Sequence, residues 1–375
     1  MRPKEYRIKE LLREKGLDGA IVSSPENFHY VTGFGGHQHT VSRQPGFTLA
    51  VMRADDKVPT HLTTMDFEAA TFRIKAAGLN FVVDPYDTWV GLKTWDEIAH
   101  GAVVPDKTAM ESSMDKLVQF MKACDLANKK VGIELDYLPV PYYKSLTEKF
   151  PEAEFVNISD LFVYARSVKQ PDEIEMFRKL CRIADHGFTE VSKIAKIGVS
   201  ERELVQCFRE DVIKSGFCAP SSWSMFSTGP SSARLTLPGD GVVKDGDVVK
   251  FDAGVNAEFD FYTTDTSRAW IIGNGDPALL KLKDRLYEGQ RRMIAAAKPG
   301  LPINELYHTA YDYVKEMFPC YRRGHQGHSI SMGPATAEAP YINASETRPL
   351  EAGMILAMEV PCYIDGVNGF NIEDM

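Results

Sequence analysis

The sequence has no C-x-x-C pair. Its six cysteines (Cys124, Cys181, Cys207, Cys218, Cys320 and Cys362) are scattered along the chain, which excludes a zinc ribbon and fits a reducing compartment. No run approaches the roughly 20 apolar residues of a membrane span. The first residues, MRPKEYRIKELLREKG, are charged throughout and lack an apolar signal core. Basic charge is also short: 43 Lys and Arg against 52 Asp and Glu give a net charge of -9. That balance speaks against nucleic acid or an anionic membrane as a partner. Low-complexity segments are absent. What remains, 44% apolar and 25% charged residues over 375 positions, suits a soluble protein of two domains. A cytoplasmic location is expected.

The first half alternates strand-like and helix-like segments. Lys4 to Lys15 has helical spacing. Gly19 to Val22, Phe47 to Met52, Leu79 to Val83 and Val131 to Leu135 read as strands, and Tyr142 to Phe150 as a helix. That alternation predicts an α/β layer structure. A change comes at ARSVKQP (Ala165 to Pro171), which places a domain boundary near residue 166. Asp172 to Lys196 then reads as a long helix with acids in its first turn. SERE (Ser200 to Glu203) is a capping-box signature for the next helix. The second half reads helix, helix, strands, and then helix, helix, strands again, so the whole is expected to be α+β.

Acids in strand-like segments are the informative feature of the second half. Asp252 closes the apolar-rich run Val248, Val249, Phe251. Asp265 lies in a second run rich in aromatic residues and threonine, Phe261 to Trp270. Two acids on neighbouring strands can point into one space, and buried carboxylates need a counter-charge. Glu359 ends the apolar strand MILAMEVP, Glu373 lies in FNIEDM, and His328 in RRGHQGHSIS. Four carboxylates and an imidazole suit a pair of divalent ions such as manganese, cobalt, zinc or iron. Two such ions can hold a bridging hydroxide and polarise a carbonyl.

These segments occur in a telling order: GDVVKFDAG, then Tyr262-x-x-Asp265-x-x-Arg268, then Gly327-His328, then Met358-Glu359-x-Pro361, then Ile372-Glu373-Asp374. Together they resemble the creatinase, prolidase, aminopeptidase P and methionine aminopeptidase family, and Xaa-Pro dipeptidase-like members most in layout. The resemblance covers about Ala165 to the C-terminus, and YVTGF (Tyr30 to Phe34) resembles the N-terminal domain of the same proteins. It implies a ribonuclease-H-like α/β domain over residues 1–165 and a "pita-bread" catalytic domain over 166–375. It also implies two divalent ions per chain, manganese first, held by Asp252, Asp265, His328, Glu359 and Glu373. Glu359 would also move the proton, and the chain would act as a homodimer on a short peptide or other small molecule.

The pattern departs from the family in several places. The Asp252–Asp265 hairpin is two residues longer than usual; with a side-chain period of two, this extends the turn without moving the ligands. Two histidines that the resemblance leads one to expect are missing: Thr236 and Ala337 stand in their places. A longer Gly-Pro-containing loop separates His328 from Glu338. His325, three residues before the ligand histidine, is either a partial substitute or a supporting loop residue. In GGHQHTVSRQPG (Gly35 to Gly46), His37, His39 and Arg43 either touch substrate across a dimer or belong to a solvated loop. Trp223 and Phe226 form either a pocket wall or core. Glu373 lies two residues from the last residue, where fraying is expected, so the chain reads as shortened at its C-terminus. The expected reaction is hydrolysis of Xaa-Pro or other short peptides. The missing histidines leave a second expectation open: a lyase (such as a dimethylsulfoniopropionate lyase) or amidohydrolase of the same fold acting on a small non-peptide metabolite. A non-catalytic binding module is the third, and metal content separates it from both.

Overall fold

The structure is a computed structural model; it describes residues 3–104, 110–332 and 336–375. The chain divides into two compact units, Met1–Ala165 and Arg166–Met375. No helix among the described residues is long and apolar enough to cross a membrane.

The first unit is built on a mixed sheet. Its strands are β1 (Gly19–Val22), β2 (Leu49–Arg53), β3 (Thr60–Thr63), β4 (Phe81–Val83), β5 (Lys130–Ile133) and β6 (Glu154–Asn157), in the spatial order β4-β3-β2-β1-β5-β6. The strands β1 and β2 are buried along their whole length, which is why they read as short continuous apolar runs rather than as alternating patterns. Strand β3 was not legible in that way, because its sequence is THLT.

The segment Gly35 to Gly46 is not a loop throughout: His37–Ser42 forms a short helix. This changes the expectation for its polar residues. His39 is buried at 2% exposure, with Nδ1 2.8 Å from Thr48 Oγ1 and its ring against Phe28. It faces the interior of its own unit and offers no surface to a neighbouring chain. Arg43 is bound to Glu26 at 2.6 Å. His37 is exposed.

Burial pushes His39 down to about 3, helped by the nearby His29 charge. A lowered histidine pKa means that the unfolded chain takes the proton more readily. The stability His39 contributes is therefore complete above about pH 6.5 and is lost as the pH falls toward 3. Between pH 7 and pH 4.5 the loss is roughly 3 kcal/mol. Urea midpoints at the two pH values test this: His39→Leu should flatten the difference, and an unchanged difference contradicts the assignment.

The second unit holds two helix pairs and an antiparallel sheet. Helices Pro171–Ile194 and Glu201–Lys214 come first, followed by strands β7 (Cys218–Pro220), β8 (Met225–Thr228), β9 (Val248–Ala253), β10 (Val255–Ala257) and β11 (Thr266–Ile271). The helices Pro277–Ala296 and Ile303–Met317 follow. The last strands are β12 (Gly327–Ser329), β13 (Glu338–Tyr341), β14 (Leu356–Glu359), β15 (Cys362–Ile364), β16 (Asn368–Phe370) and β17 (Glu373–Asp374). Among the described residues seven strands form one sheet in the order β13-β12-β14-β17-β11-β9-β8. Helix starts follow local chemistry: the Ser200 side chain accepts from Glu203 N while Glu203 caps Ser200 N at 2.8 Å.

The helices cover one face of this sheet. Phe188 and Phe208 from the first pair pack ring against ring with Phe226 of β8 and Phe251 of β9. Leu356 and Met358 of β14 pack in the cluster formed by the second pair. Phe226 is therefore core, not a pocket wall. Since alternate residues face opposite sides, Asp252 and Glu359 point away from these helices.

Candidate metal centre

Strand register brings the acids together. Asp252 of β9 pairs with Ser267 of β11, Ser267 pairs with Glu373 of β17, and Glu373 pairs with Glu359 of β14. These four positions form one row across the sheet, on one face. Asp265 stands two residues before Ser267. His328 of β12 pairs with Ala357, two residues before Glu359. A period of two keeps Asp265 and His328 on the same face, one pleat further along.

Two glycines of the motifs have a steric reason. A Cβ on Gly254 would collide with the Thr264 carbonyl oxygen, and one on Gly327 with that of Ala357. Gly327 also has φ 129°, in the region that favours glycine. Both lie where backbones must approach closely beside a ligand position.

Three of the five expected ligands converge. Ligand atoms of Asp265, His328 and Glu373 all lie within 4.8 Å of one another. His328 Nδ1 is 2.9 Å from the Ser329 carbonyl oxygen, which can only accept, so Nδ1 donates there and Nε2 is the nitrogen turned to the acids. Nε2 is 3.5 Å from Asp265 Oδ2. The other oxygen, Asp265 Oδ1, is buried without a hydrogen-bond partner. Asn371 Nδ2 donates to Asp252 Oδ2 at 3.3 Å and to Glu373 Oε2 at 3.1 Å. Glu373 does not fray: it is 2% exposed, strands β11 and β14 flank it, and Arg268 donates to its carbonyl oxygen and to Asp374 Oδ1, both at 2.6 Å.

Glu359 is engaged differently. Arg323 Nη2 donates to its Oε1 at 2.6 Å, and His325 Nδ1 lies 3.3 Å from the same oxygen. His325 is thus brought to the site, against Glu359. Lys250, fully buried, stands two residues before Asp252 on the same face; its Nζ donates to the Arg234 carbonyl at 3.1 Å and lies over the Tyr363 ring. Thr236 is exposed and Ala337 half-buried, so neither replaces an imidazole. Residues Gly333 and Pro334 of the loop before Ala337 lie outside the described residues.

The electrostatics call for a cation. Burial pushes Asp252 up to about 7, and the Asp265 charge adds to it. Burial also raises Asp265 and, with the charges of Asp265, Glu359 and Asp252, holds Glu373 well above the usual carboxylate range. Carboxylates crowded in this way resist ionisation unless a positive charge joins them. An orphaned carboxylate oxygen, an imidazole nitrogen and a second carboxylate within reach fit a divalent ion of the hard or borderline kind.

Arg323, Lys250 and Asn371 were not among the residues singled out from sequence. Lys250 and Asn371 carried a signal, since each is two residues before one of the buried acids and so shares its face. The arginine pair before HQGH gives no hint that Arg323 would reach Glu359, 36 positions away.

A buried carboxylate–imidazole cluster on one face of a sheet is the equipment of a metallohydrolase. The family model for metallopeptidase family M24 matches residues 175–375, and that for the creatinase/prolidase N-terminal domain matches residues 6–168. The chain belongs to metallopeptidase family M24. It is 29% identical over 377 residues to an uncharacterized peptidase of Staphylococcus aureus (strain MSSA476), covering 98% of this chain and 94% of that one. An uncharacterized peptidase of Bacillus subtilis (strain 168) is 25% identical over 373 residues, covering 98% and 93%. Among solved structures, a Xaa-Pro dipeptidase from Bacillus anthracis superposes with a TM-score of 0.80 at 24% identity, over 99% of this chain and 93% of that one. A prolidase from Pyrococcus furiosus gives 0.75 at 24% identity, over 98% and 95%. The C-terminal unit thus has the pita-bread fold, the N-terminal unit is a creatinase-type domain, and the protein is a peptidase-type hydrolase.

Proposed function

We propose that this chain is a divalent-metal-dependent exopeptidase that cleaves Xaa-Pro dipeptides or the N-terminal Xaa-Pro bond of short peptides. The observation that carries the metal-dependent part is the convergence of Asp265, His328 and Glu373 around the unpartnered Asp265 Oδ1. Whole-chain likeness to proteins described as a Xaa-Pro dipeptidase and a prolidase supports the substrate class.

Asp265, His328 and Glu373 would hold the ion, manganese first among the candidates, with cobalt, zinc and iron behind it. A divalent ion there supplies Lewis-acid polarisation of the scissile carbonyl and lowers the pKa of water. Glu359 takes the proton of the attacking water at Oε2, because Arg323 and His325 both face Oε1. The same carboxyl then delivers that proton to the leaving nitrogen as the C–N bond breaks. Arg323 fixes the orientation of this carboxylate, and Asn371 that of Asp252 and Glu373.

Glu359→Gln should lower kcat for a Xaa-Pro dipeptide by about 10²–10⁴-fold, the usual worth of a positioned acid–base group, while bound metal is retained. Unchanged turnover would remove Glu359 from the mechanism. The exposed Thr236 and the methyl side chain of Ala337 favour a second reading, a small non-peptide metabolite as substrate. Turnover of such compounds with no proline released from any peptide would select it.

A further inference from the structure

The β9 end of the acid row is bordered by apolar side chains that the core does not use. Strand β8 is the edge of the sheet, and its Met225 pairs with Asp252. Paired residues of antiparallel strands share a face, so Met225 stands beside Asp252 on the side of the acids. The next residue, Phe226, points the other way and packs in the core against Phe251. Trp223 lies two residues before Met225. Its Cζ2 is 3.2 Å from the place that a Cβ on Gly254 would take, so its ring lies against Gly254. The register of β9 with β11 pairs Ala253 with Thr266. Continued by the bond from Thr264 N to the Val255 carbonyl at 3.0 Å, that register sets Gly254 opposite Asp265. Trp223 and Met225 are both only half-buried. They form an apolar wall along the side of the centre that holds Asp252 and Asp265.

We propose that Trp223 and Met225 read the residue N-terminal to the scissile bond, and that the preferred substrates are Xaa-Pro peptides whose Xaa is a bulky apolar residue such as leucine or phenylalanine. The inference rests on the Xaa-Pro reading of the site and adds the side-chain class to it. The direction follows from Glu359. That residue, on β14, delivers its proton to the proline nitrogen, so the proline lies toward β14. The residue on the other side of the scissile bond then lies toward β9 and β8, where the wall stands. An apolar Xaa side chain there takes its own surface and the exposed parts of Trp223 and Met225 out of water. A polar side chain of the same shape loses its hydrogen bonds to water without regaining them. The two residue types suit the task, one a broad rigid face and the other a flexible thioether that adapts to different apolar shapes.

The test uses the full chain loaded with Mn²⁺ and the dipeptides Leu-Pro and Asn-Pro, whose Xaa side chains have nearly the same shape. The parent is expected to favour Leu-Pro by at least about tenfold in kcat/KM, the scale on which an apolar pocket discriminates. In Trp223→Ser, and separately in Met225→Ser, that ratio should fall at least about threefold. The fall should come mainly from a higher KM for Leu-Pro, because the wall holds the side chain alike before and during the reaction. Trp223→Phe should keep most of the ratio. A ratio near one in the parent would overturn the inference and leave the Xaa-Pro reading standing. An unchanged ratio in both serine variants, including an equal loss on the two dipeptides, would overturn the role given to Trp223 and Met225. No proline released from any Xaa-Pro dipeptide would overturn both readings. The parent ratio decides the preference even where a variant fails to fold.

Discussion

Asp265→Asn is expected to abolish hydrolysis while making the metal-free protein more stable. Asp265 supplies a buried, unpartnered oxygen to the three-residue cluster, so its replacement removes a charged ligand from the ion. Polarisation by a metal is worth several kcal/mol of barrier, and each 1.36 kcal/mol is tenfold in rate. The loss should therefore be at least about 1000-fold in kcat/KM. The stability effect has the opposite sign for the same electrostatic reason. Burial raises Asp265, and its charge raises both Asp252 and Glu373, so without metal the carboxylates repel one another. Removing one charge relieves that repulsion, at the cost of a weaker contact to His328. Calorimetry in the presence of chelator should show a melting midpoint several degrees higher, since about 1 kcal/mol corresponds to about 2–4 °C in a domain of this size. An active variant would remove Asp265 from the site. A metal-free variant less stable than its parent would mean that Asp265 is there for packing. The trade of stability for function at a crowded site is a general one.

The second large effect is a pH dependence that metal should erase. Asp252 is pushed up to about 7 in the folded metal-free protein, chiefly by burial, against about 3.9 in an unfolded chain. A raised carboxylate pKa means that the folded state binds the proton more tightly. The stability this contributes is complete below about pH 4 and is lost as the pH rises through about 7. The span is on the order of 4 kcal/mol for Asp252 alone, and Asp265 and Glu373 act in the same sense. Metal-free protein should therefore lose stability between pH 5 and pH 8 relative to protein loaded with Mn²⁺, whose carboxylates are ionised by their ligand. His39 acts in the opposite direction but is common to both forms, so it cancels in the comparison. Parallel denaturation curves for the two forms at pH 5, 6, 7 and 8 measure the effect. A constant gap between them would contradict the electrostatic description of the site.

How much of this could be read from the chain depended on how local each signal was. Strand β1 was legible because its four residues are all buried and apolar. The helix after Ser200 was legible because its cap is written in SERE. The row of buried acids stood out because an acid at the end of an apolar strand is costly to bury without a counter-charge, and because five such signals came in the order the resemblance implies. Arg323 was not legible. Its contact with Glu359 depends on the pairing of β12 with β14, which sets Gly327 opposite Met358, and no local pattern encodes such a register. His39 was misread for a related reason. The helix His37–Ser42 has six residues and no side-chain cap at its N-terminus, too short to display the spacing that would mark one face as buried. The missing imidazoles at Thr236 and Ala337 were legible as departures, and only the fold shows that neither side chain is a buried donor at the centre.

On the function proposed, a divalent ion at Asp265, His328 and Glu373 drives hydrolysis of Xaa-Pro peptides. The most direct measurement is proline release from a panel of Xaa-Pro dipeptides, with matching Xaa-Ala dipeptides as controls. Purified protein is assayed as isolated, after chelation and after return of Mn²⁺. Release from Xaa-Pro substrates, lost on chelation and restored by Mn²⁺, is the predicted result. Metal-loaded protein that releases no proline from any member of the panel would contradict it.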